Sequence, residues 1–428
     1  MVKTSPKLAA SSKDKKKSIY KYYAGFSSEF VNDVISKVGS EATILDPWNG
    51  SGTTTEVASL LGRRSFGFDI NPVMVLIAKA KLIGFGIKGS LKSLGWEIGK
   101  ESKKYDIPAS PDDPLLEWLY PSSVSSFRNI EASLQKILTE EKKYCRLSDR
   151  ESIEGVSDLA AFFYTALFRT VRKLLKDFRS SNPTWIKSPL SLSQRLRPTQ
   201  NAILECFHSN ILYMSSCITK LSKNFPVSGE NSFCKIGLAS SKSIPLPCES
   251  IDAVITSPPY CTRIDYAIAT KPELAVLGYS KKNGLDSLRN TMIGTPTING
   301  SRLEKRLEWG ETCNRFLEKI ENHESKSSSS YYLKTHLQYF NDIFESLRET
   351  SRCMKPNANC VIVVQGSFYK EIQNNLPEIF MEMSGNLGWS IKDKFDFSQS
   401  RNMAALNPAY RNRHLNPAVT ESVLWFQK

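Results

Sequence analysis

ATILDPWNGSGTT, residues 42–54, is the part of the sequence that indicates the fold most strongly. A short apolar and β-branched run ends at Asp46, and a Gly-Ser-Gly turn then opens a helical pattern that continues from Thr55 to Leu61. The glycines allow the backbone to bend sharply and to approach a ligand closely, while the first turn of the helix offers unpaired N–H groups. The stretch therefore predicts a strand, a ligand-binding loop and a helix, as at the start of an α/β domain.

A second strand pattern, RSFGFDINP at residues 64–72, ends at Asp69 and leads through Asn71 into another helix that runs to Leu82. In α/β cofactor domains, an acidic residue at this distance from a glycine-rich loop binds ribose hydroxyls. Asp46, at the end of the first strand, can accept a hydrogen bond from an ammonium group. The loop and the acid together favour a cofactor of the nucleotide kind over a cofactor-free α/β unit.

A third strand pattern, IDAVITSPPY at residues 251–260, ends abruptly in Ser257, Pro258, Pro259 and Tyr260. Ligands of open α/β sheets bind beyond the carboxyl ends of such strands. Because consecutive prolines fix φ and carry no N–H, this strand end is stiff and presents carbonyl acceptors. Ser257 and the Pro258 carbonyl can accept the N–H groups of an exocyclic amine, and Tyr260 can stack on its ring. An ordinary strand-to-turn transition is the alternative interpretation.

The SPPY sequence after an apolar strand resembles motif IV of the DNA amino-methyltransferases, and its Ser form resembles the cytosine-N4 branch. DPWNGSGTT resembles motif I of this family, FDINP resembles motif II, and Phe26-Ser27 before a helical pattern resembles motif X, which holds the carboxylate of S-adenosylmethionine. The resemblance implies a Rossmann-like, S-adenosylmethionine-dependent methyltransferase fold of the α/β class. It assigns the catalytic role to Ser257, Pro258, Pro259 and Tyr260. The cofactor-binding residues that it implies are Phe26, Ser27, Asp46, Pro47, Asn49, Gly50, Ser51, Gly52, Thr53, Thr54, Asp69, Ile70 and Asn71.

The alternation of strands and helices is interrupted at residues 84–233, where long helical patterns dominate and strand patterns are hard to find. We interpret this part as a mostly helical subdomain inserted between the second and third strands, and as the candidate DNA-target recognition region. The catalytic methyltransferase domain is then formed by residues 19–83 and 234–428. Residues 1–18 are rich in Ser and Lys and are predicted to be a basic disordered arm.

The formal net charge of +14 indicates a polyanionic partner, for which nucleic acid is the commonest case. Within residues 157–178, apolar side chains fall on one side of a helical pattern and basic side chains lie largely on the other. This basic stripe predicts phosphate contact, with a solvated helix face as the alternative, and consists of Arg169, Arg172, Lys173, Lys176 and Arg179. The Ser- and Pro-rich loop from Trp185 to Pro198 either reaches a groove of DNA or is a connector.

The lysine-rich start of the chain has no hydrophobic signal segment, and the longest apolar run is too short to cross a bilayer. The nine cysteines include no CxxC pair, and the four histidines do not cluster with them. We therefore expect no metal site, no disulfide framework, no membrane partner and a cytoplasmic location.

The resemblance implies a site-specific enzyme that transfers a methyl group from S-adenosylmethionine to the N4 amine of cytosine in double-stranded DNA. Such enzymes act in restriction-modification or defence, so cognate restriction or defence proteins are expected partners. Transfer would be direct, which leaves Cys261 without a role as nucleophile, and Asp265 and Tyr266 are expected to border the site. Three other functions stay open: an adenine-N6 DNA methyltransferase, a tRNA guanine-N2 methyltransferase and a non-catalytic DNA-binding subunit.

Overall fold

The computed structural model describes residues 4–6, 18–20, 25–139, 144–180, 185–218, 233–261, 265–297, 303–399 and 419–428. The strands in these ranges are β1 (Ile44–Asp46), β2 (Ser65–Asp69), β3 (Cys234–Leu238), β4 (Ile251–Thr256), β5 (Met354–Gln365), β6 (Ser367–Tyr369), β7 (Ile372–Asn374), β8 (Ser390–Gln399) and β9 (Val419–Gln427). The α-helices are α1 (Ser28–Ile35), α2 (Thr53–Leu60), α3 (Pro72–Lys81), α4 (Leu91–Ser102), α5 (Pro121–Leu138), α6 (Arg150–Gly155), α7 (Asp158–Leu174), α8 (Gln200–Cys217), α9 (Tyr266–Ala269), α10 (Lys271–Val276), α11 (Leu285–Thr291), α12 (Glu311–Glu321), α13 (Leu333–Cys353) and α14 (Leu376–Asn386).

Seven of these strands form one sheet in the order β3-β2-β1-β4-β5-β9-β8, while β6 and β7 form a separate antiparallel pair. The strands from β3 through β5 are mutually parallel, and β9 runs antiparallel to both of its neighbours. This sheet and the helices that join its strands form a Rossmann-like methyltransferase fold, so the predicted α/β class is confirmed.

Helices α4 to α8 lie between β2 and its parallel neighbour β3, in the part of the chain where the sequence predicts a helical insertion. The described residues between 84 and 218 form helices and turns and no strand of the sheet. These helices do not have a core of their own. One continuous hydrophobic core joins Val75 of α3, Phe163 of α7 and Leu274 of α10. The insertion is therefore packed firmly against the methyltransferase part of the chain.

The fold places the ends of β1, β2 and β4 side by side. Asp46 at the end of β1 pairs with Gly67 of β2, and Leu45 pairs with Val254 of β4. In the sheet, β2 lies on one side of β1 and β4 lies on the other, so the strand order reverses at β1. Ligands of such sheets bind at this topological switch point. The loops after Asp46, Asp69 and Thr256 therefore meet at one edge.

The predicted basic arm, residues 1–18, lies outside the described residues except for residues 4–6 and Ser18. At its described part, the Pro6 carbonyl accepts a hydrogen bond of 2.7 Å from the backbone N–H of Ser27. Among the described helices, none has both the length and the apolar character that a bilayer crossing requires.

Candidate active site

A cleft opens where the loops after β1, β2, β3 and β4 meet. The structure brings the DPWNGSGTT loop and the SPPY motif together in this cleft. The predicted residues that line it are Phe26, Asp46, Pro47, Asn49, Gly50, Ser51, Thr53, Asp69, Ile70, Asn71, Ser257, Pro258, Pro259 and Tyr260.

Asp46 is a buried carboxylate at the end of β1. Its Oδ1 accepts hydrogen bonds from the Thr256 hydroxyl at 2.6 Å and from the Trp48 N–H at 3.1 Å. Burial raises the pKa of Asp46 to about 6, although these donors act in the opposite direction. Asp46 is therefore mostly ionised at neutral pH and can attract a cationic group in the cleft.

Asp69 fixes the shape of the glycine loop. Its two carboxylate oxygens accept the backbone N–H of Gly50 at 2.9 Å and the backbone N–H of Asn71 at 2.8 Å. Burial raises the pKa of this carboxyl to about 6 as well. Because each oxygen has a second lone pair, Asp69 can hold the loop and still accept a hydrogen bond from a ligand hydroxyl.

Asn49 also holds the glycine loop in place, through hydrogen bonds to β2 and α2. Its backbone N–H donates to the Phe68 carbonyl at 2.9 Å, and its side-chain Oδ1 accepts from the Thr55 hydroxyl at 3.1 Å. A Cβ atom at Gly67 would lie only 2.5 Å from the Asn49 side chain, so that the glycine makes room for it. Among the described residues, the Asn49 Nδ2 and the Trp48 Nε1 of this loop are buried without a hydrogen-bond partner.

Three predicted cofactor-binding residues, Ser27, Gly52 and Thr54, do not line the cleft. The Ser27 hydroxyl caps α1 by accepting the Phe30 N–H at 3.1 Å. Gly52 has φ of +80° and packs against α3. The Thr54 hydroxyl donates to the Ile255 carbonyl of β4 at 3.2 Å. Their contacts are with the protein itself and support the loop.

The SPPY motif is held by hydrogen bonds from three directions. The Ser257 hydroxyl donates to the Val363 carbonyl of β5 at 3.1 Å. The Pro259 carbonyl accepts the Tyr339 hydroxyl of α13 at 2.9 Å. The Tyr260 N–H donates to the Tyr266 hydroxyl at 3.4 Å.

The pKa values of two side chains at the motif, Tyr260 and Cys261, are strongly raised. Burial, together with the neighbouring Glu421, raises the pKa of Tyr260 well above its ordinary value, so the phenol is neutral. Burial raises the pKa of the Cys261 thiol to about 12. A neutral thiol is a weak nucleophile, which agrees with the expectation that Cys261 has no covalent role.

Of the two residues expected to border the site, Asp265 and Tyr266, only the tyrosine lines the cleft. Tyr266 lines the cleft, whereas Asp265 is buried beside it. Asp265 caps α9 by accepting the Ile268 N–H at 3.0 Å and forms an ion pair of 2.7 Å with Arg289. Asp265 therefore positions the helix that carries Tyr266.

Sequence reasoning missed a group of cleft residues, namely Gly25, Trp48, Met74, Ala239, Ser240, Ser241, Thr291, Met292 and Ile293. The sequence held one usable signal for them. Ala239–Ser241 directly follow β3, and the end of every parallel strand next to the switch point is a candidate ligand position. Residues 291–293 had no such signal, because they reach the cleft from the end of α11.

The basic stripe is divided between two environments. Arg169 donates to the Ile19 carbonyl at 3.0 Å and stacks on Tyr213, while Arg172 forms hydrogen bonds and an ion pair with buried Glu273. These two arginines are used inside the protein, contrary to a role as free phosphate ligands. The three exposed members of the stripe are Lys173, Lys176 and Arg179.

Across the described ranges, no group of three or more His, Cys, Asp and Glu side chains is placed to hold a metal ion. The donor set of the cleft instead fits S-adenosylmethionine. Asp46 would suit its ammonium group and Asp69 its ribose hydroxyls, and the apolar side chains of Ile70 and Met74 line the same cleft.

Known proteins resemble this chain at the level of sequence. Residues 6–80 match the sequence profile of the DNA methylase family. The type II methyltransferase M.BsoBI of Geobacillus stearothermophilus is 26% identical over 400 residues, which cover 87% of this chain and 73% of that protein. M.MvaI of Kocuria varians is 24% identical over 348 residues, covering 77% and 71%. M.AvaI of Nostoc sp. is 23% identical over 400 residues, covering 87% and 79%.

Among solved structures, the rRNA methyltransferase aviRa of Streptomyces viridochromogenes aligns with 94% of this chain and 86% of its own, at 10% identity and a TM-score of 0.28. That similarity is weak. The sequence matches support a DNA methyltransferase and do not distinguish cytosine-N4 from adenine-N6 methylation.

Proposed function

We propose that this chain transfers a methyl group from S-adenosylmethionine to the exocyclic N4 amine of cytosine in double-stranded DNA, at a specific sequence and as part of a type II restriction-modification system. The relatives that it matches are type II methyltransferases, which supports the proposed setting. The proposed base rests on the serine at the first position of SPPY, because this form of the motif resembles the cytosine-N4 branch.

The observation that carries the proposal is the hydrogen bond from the Ser257 hydroxyl to the Val363 carbonyl. A serine hydroxyl has one hydrogen to donate and two lone pairs to accept with. Its hydrogen is used by Val363 and the Tyr260 side chain is a second hydrogen-bond neighbour, so the Ser257 oxygen keeps one lone pair that can accept from an amine in the cleft. The Pro258 carbonyl follows on the same stiff strand end. Two adjacent acceptors match the two N–H bonds of an exocyclic amine.

This pair of acceptors addresses the main chemical difficulty. An aromatic amine is a poor nucleophile because its lone pair is delocalised into the ring. Acceptors that hold both N–H bonds favour a pyramidal nitrogen, whose lone pair is then available for attack. The Tyr260 side chain, neutral and partly buried beside the motif, can stack on the base and fix its plane.

When bound, S-adenosylmethionine supplies an electrophilic methyl group on a sulfonium sulfur. Asp46, Asp69 and the loop from Gly50 to Thr53 would hold it on one side of the cleft, and Ser257–Tyr260 would hold the base on the other. Positioning of this kind can contribute roughly 7–11 kcal/mol to lowering a reaction barrier. No covalent intermediate with the protein is needed, in keeping with the neutral thiol of Cys261.

The decisive experiment supplies the purified protein with S-adenosylmethionine that carries a labelled methyl group, together with duplex DNA or tRNA. Digestion to nucleosides should give labelled N4-methylcytosine from the DNA and no labelled tRNA. Labelled N6-methyladenine alone would contradict the proposed base, and labelled guanine in tRNA would contradict the proposed nucleic acid. A protein that does not bind S-adenosylmethionine in calorimetry would instead be a non-catalytic subunit.

Matched variants connect the activity to the motif. Ser257→Ala and Tyr260→Ala should lose methyl transfer while the affinity for S-adenosylmethionine is retained, because both side chains face the base side of the cleft. Asp46→Ala should weaken cofactor binding. Full activity of both motif variants would remove the assignment.

A further inference from the structure

The loop of residues 185–197, which we name the Leu190 loop, exposes Trp185 at its start and two leucines further along. Leu190 is 95% exposed and Leu192 is 68% exposed. Single exposed leucines are common on protein surfaces and need no explanation. Two of them at the tip of one loop form an apolar projection, which is more typical of an interaction site.

The base of this loop is fixed to the inserted helices. The Trp118 indole N–H donates to the Lys187 carbonyl at 3.0 Å, and the backbone N–H of Leu196 donates to the Trp118 carbonyl at 2.8 Å. At the tip, the Leu190 N–H donates to the Gln194 side chain at 2.9 Å. The two leucines are therefore presented from an anchored support.

Exposed basic side chains lie on the same loop and in the groove next to it. Lys187 and Arg197 of the loop are exposed, and Arg197 lies over the Tyr120 ring. Lys281 and Lys282 are exposed and line an adjoining groove, which Ser188 of the loop also lines. A polyanion is the partner that such a surface attracts.

The acidic side chains of this groove are largely neutralised by partners. Glu117 pairs with Lys271, and Asp113 pairs with buried Arg128 at 2.8 Å. Asp112 remains at the rim, where it hydrogen-bonds to Ser110. The free charge that faces solvent is therefore mainly positive.

The groove adjoins the candidate active site through a short series of contacts. Lys271, in the groove, begins α10 directly after Thr270. The Thr270 hydroxyl accepts a hydrogen bond of 2.9 Å from the side chain of Asn71, which lines the cleft. It also donates to the backbone carbonyl of Tyr266 at 3.0 Å. These contacts pass through buried Asn71 and Thr270, so α10 connects the wall of the groove with the wall of the cleft.

We propose that the Leu190 loop enters duplex DNA next to the target base, with Leu190 and Leu192 as an apolar wedge against the base stack and with Lys281 and Lys282 on the phosphates. The inference depends on the proposed function and extends it. A stacked base cannot reach the cleft, so an enzyme acting on it must open the stack. Apolar side chains inserted between base steps do this in other DNA-binding proteins.

The test compares Leu190→Ala/Leu192→Ala with the wild type on duplex DNA and on heat-denatured DNA of the same sequence. Methylation of the duplex should fall at least about tenfold, while methylation of the denatured DNA and the affinity for S-adenosylmethionine change less than about threefold. The control is Leu307→Ala, which removes a leucine that is 92% exposed in the segment before α12. Wild-type rates on the duplex, or equal decreases on both substrates, would overturn the wedge.

The interaction with phosphates is tested by Lys281→Ala/Lys282→Ala in fluorescence anisotropy with labelled duplex. The dependence of log affinity on log salt concentration should become shallower by about 0.9 for each phosphate that the variant no longer neutralises. An unchanged slope would contradict the proposed docking surface. This binding assay does not require methyl transfer. If the wild type binds DNA through these lysines and methylates nothing, the proposed function fails and the docking surface stands.

Discussion

The hydroxyl of Tyr339, from the N-terminal half of α13, donates a hydrogen bond of 2.9 Å to the backbone carbonyl of Pro259. Tyr339 is buried, and burial raises its pKa well above the ordinary value, so it remains a donor at all relevant pH values. The bond fixes the peptide plane between Pro259 and Tyr260. A helix far away in sequence thus sets the direction in which the Tyr260 ring leaves the strand.

Removing this hydroxyl should slow the reaction while cofactor binding is unaffected. For Tyr339→Phe we expect kcat to fall about fivefold to tenfold, since one net hydrogen bond contributes roughly 1 kcal/mol. Calorimetric affinity for S-adenosylmethionine should not change. Tyr369→Phe is a suitable control, because it removes a buried tyrosine hydroxyl that bonds to Ser328 away from the cleft. An equal decrease of kcat in both variants would argue against a specific role of Tyr339.

The glycine at position 52 is expected to be indispensable for the cofactor loop. Its φ of +80° is unfavourable for any residue with a Cβ, and that Cβ would lie 2.7 Å from the Cβ of Ala78. Gly52→Ala should lower the free energy of unfolding by roughly 2–4 kcal/mol through strain and overpacking. Denaturant unfolding measures this, with Gly89→Ala as the control because nothing lies within 4 Å of its added Cβ.

Cofactor binding should depend on pH through two carboxyls. Burial raises the pKa of Asp46 and of Asp69 to about 6. Because only the ionised Asp46 attracts an ammonium group, affinity for S-adenosylmethionine should be full above about pH 7 and fall about tenfold by about pH 5. Calorimetry across this range checks it. In Asp46→Asn the affinity should be low at neutral pH and its pH dependence weaker.

The raised pKa of Asp46 affects the stability of the fold in the opposite direction from its effect on cofactor affinity. The pKa of Asp46 in the folded protein lies above its ordinary value of 3.8, so the folded state binds the proton more tightly. The contribution of Asp46 to the free energy of unfolding is therefore greatest below about pH 4 and disappears as the pH rises through about 6. Comparison of wild type with Asp46→Asn in denaturant titrations should show this sign, and a contribution that grows with pH would contradict it.

The ion pair between Arg172 and Glu273 should be a strong structural coupling. Glu273 is fully buried, accepts hydrogen bonds from Arg172 and from the Tyr20 hydroxyl, and lies on α10. Arg172→Met leaves a buried carboxylate without its cation and should cost about 3–5 kcal/mol of unfolding free energy. The double variant with Glu273→Gln should be destabilised by less than the sum of the single variants. Additive effects would show that the pair is not coupled.

The exposed part of the basic stripe should affect DNA binding and leave stability unchanged. Replacement of Lys173, Lys176 and Arg179 together by Ala should make the salt dependence of duplex binding shallower by about 0.9 for each phosphate that these side chains neutralise in the wild type. The matched control exchanges Lys for Arg and Arg for Lys at the same positions and should retain the slope. If the alanine variant retains it too, these residues are only a solvated helix face.

Much of the local structure could be predicted from the sequence. The turn at Gly50 and Gly52, the strand that ends in SPPY and the helical character of residues 84–233 all follow from short-range preferences of the backbone. The roles of single charged residues could not be predicted in this way. The helical pattern of α7 places Arg172 and Lys173 next to each other as similar exposed cations, but the packing of α10 buries Glu273 against only the first of them.

The cleft shows the same division. Ala239–Ser241 and residues 291–293 carry no distinctive motif, and they line the cleft because the order of strands and the path of α11 bring them there. Likewise, the sequence identified Ser257 as an acceptor for an amine, whereas only the parallel neighbour β5 supplies the carbonyl of Val363 that uses its hydrogen.

The backbone conformation at the two strand ends follows directly from the residue types there. Glycine permits positive φ and proline fixes φ, regardless of what surrounds them. Tertiary packing then sets which groups face one another across that backbone. The 2.6 Å hydrogen bond between Asp46 and Thr256 joins residues from two strands that are remote in sequence and adjacent in the sheet. Burial, charge pairing and protonation depend on such long-range neighbours, and they exist only once the chain has packed.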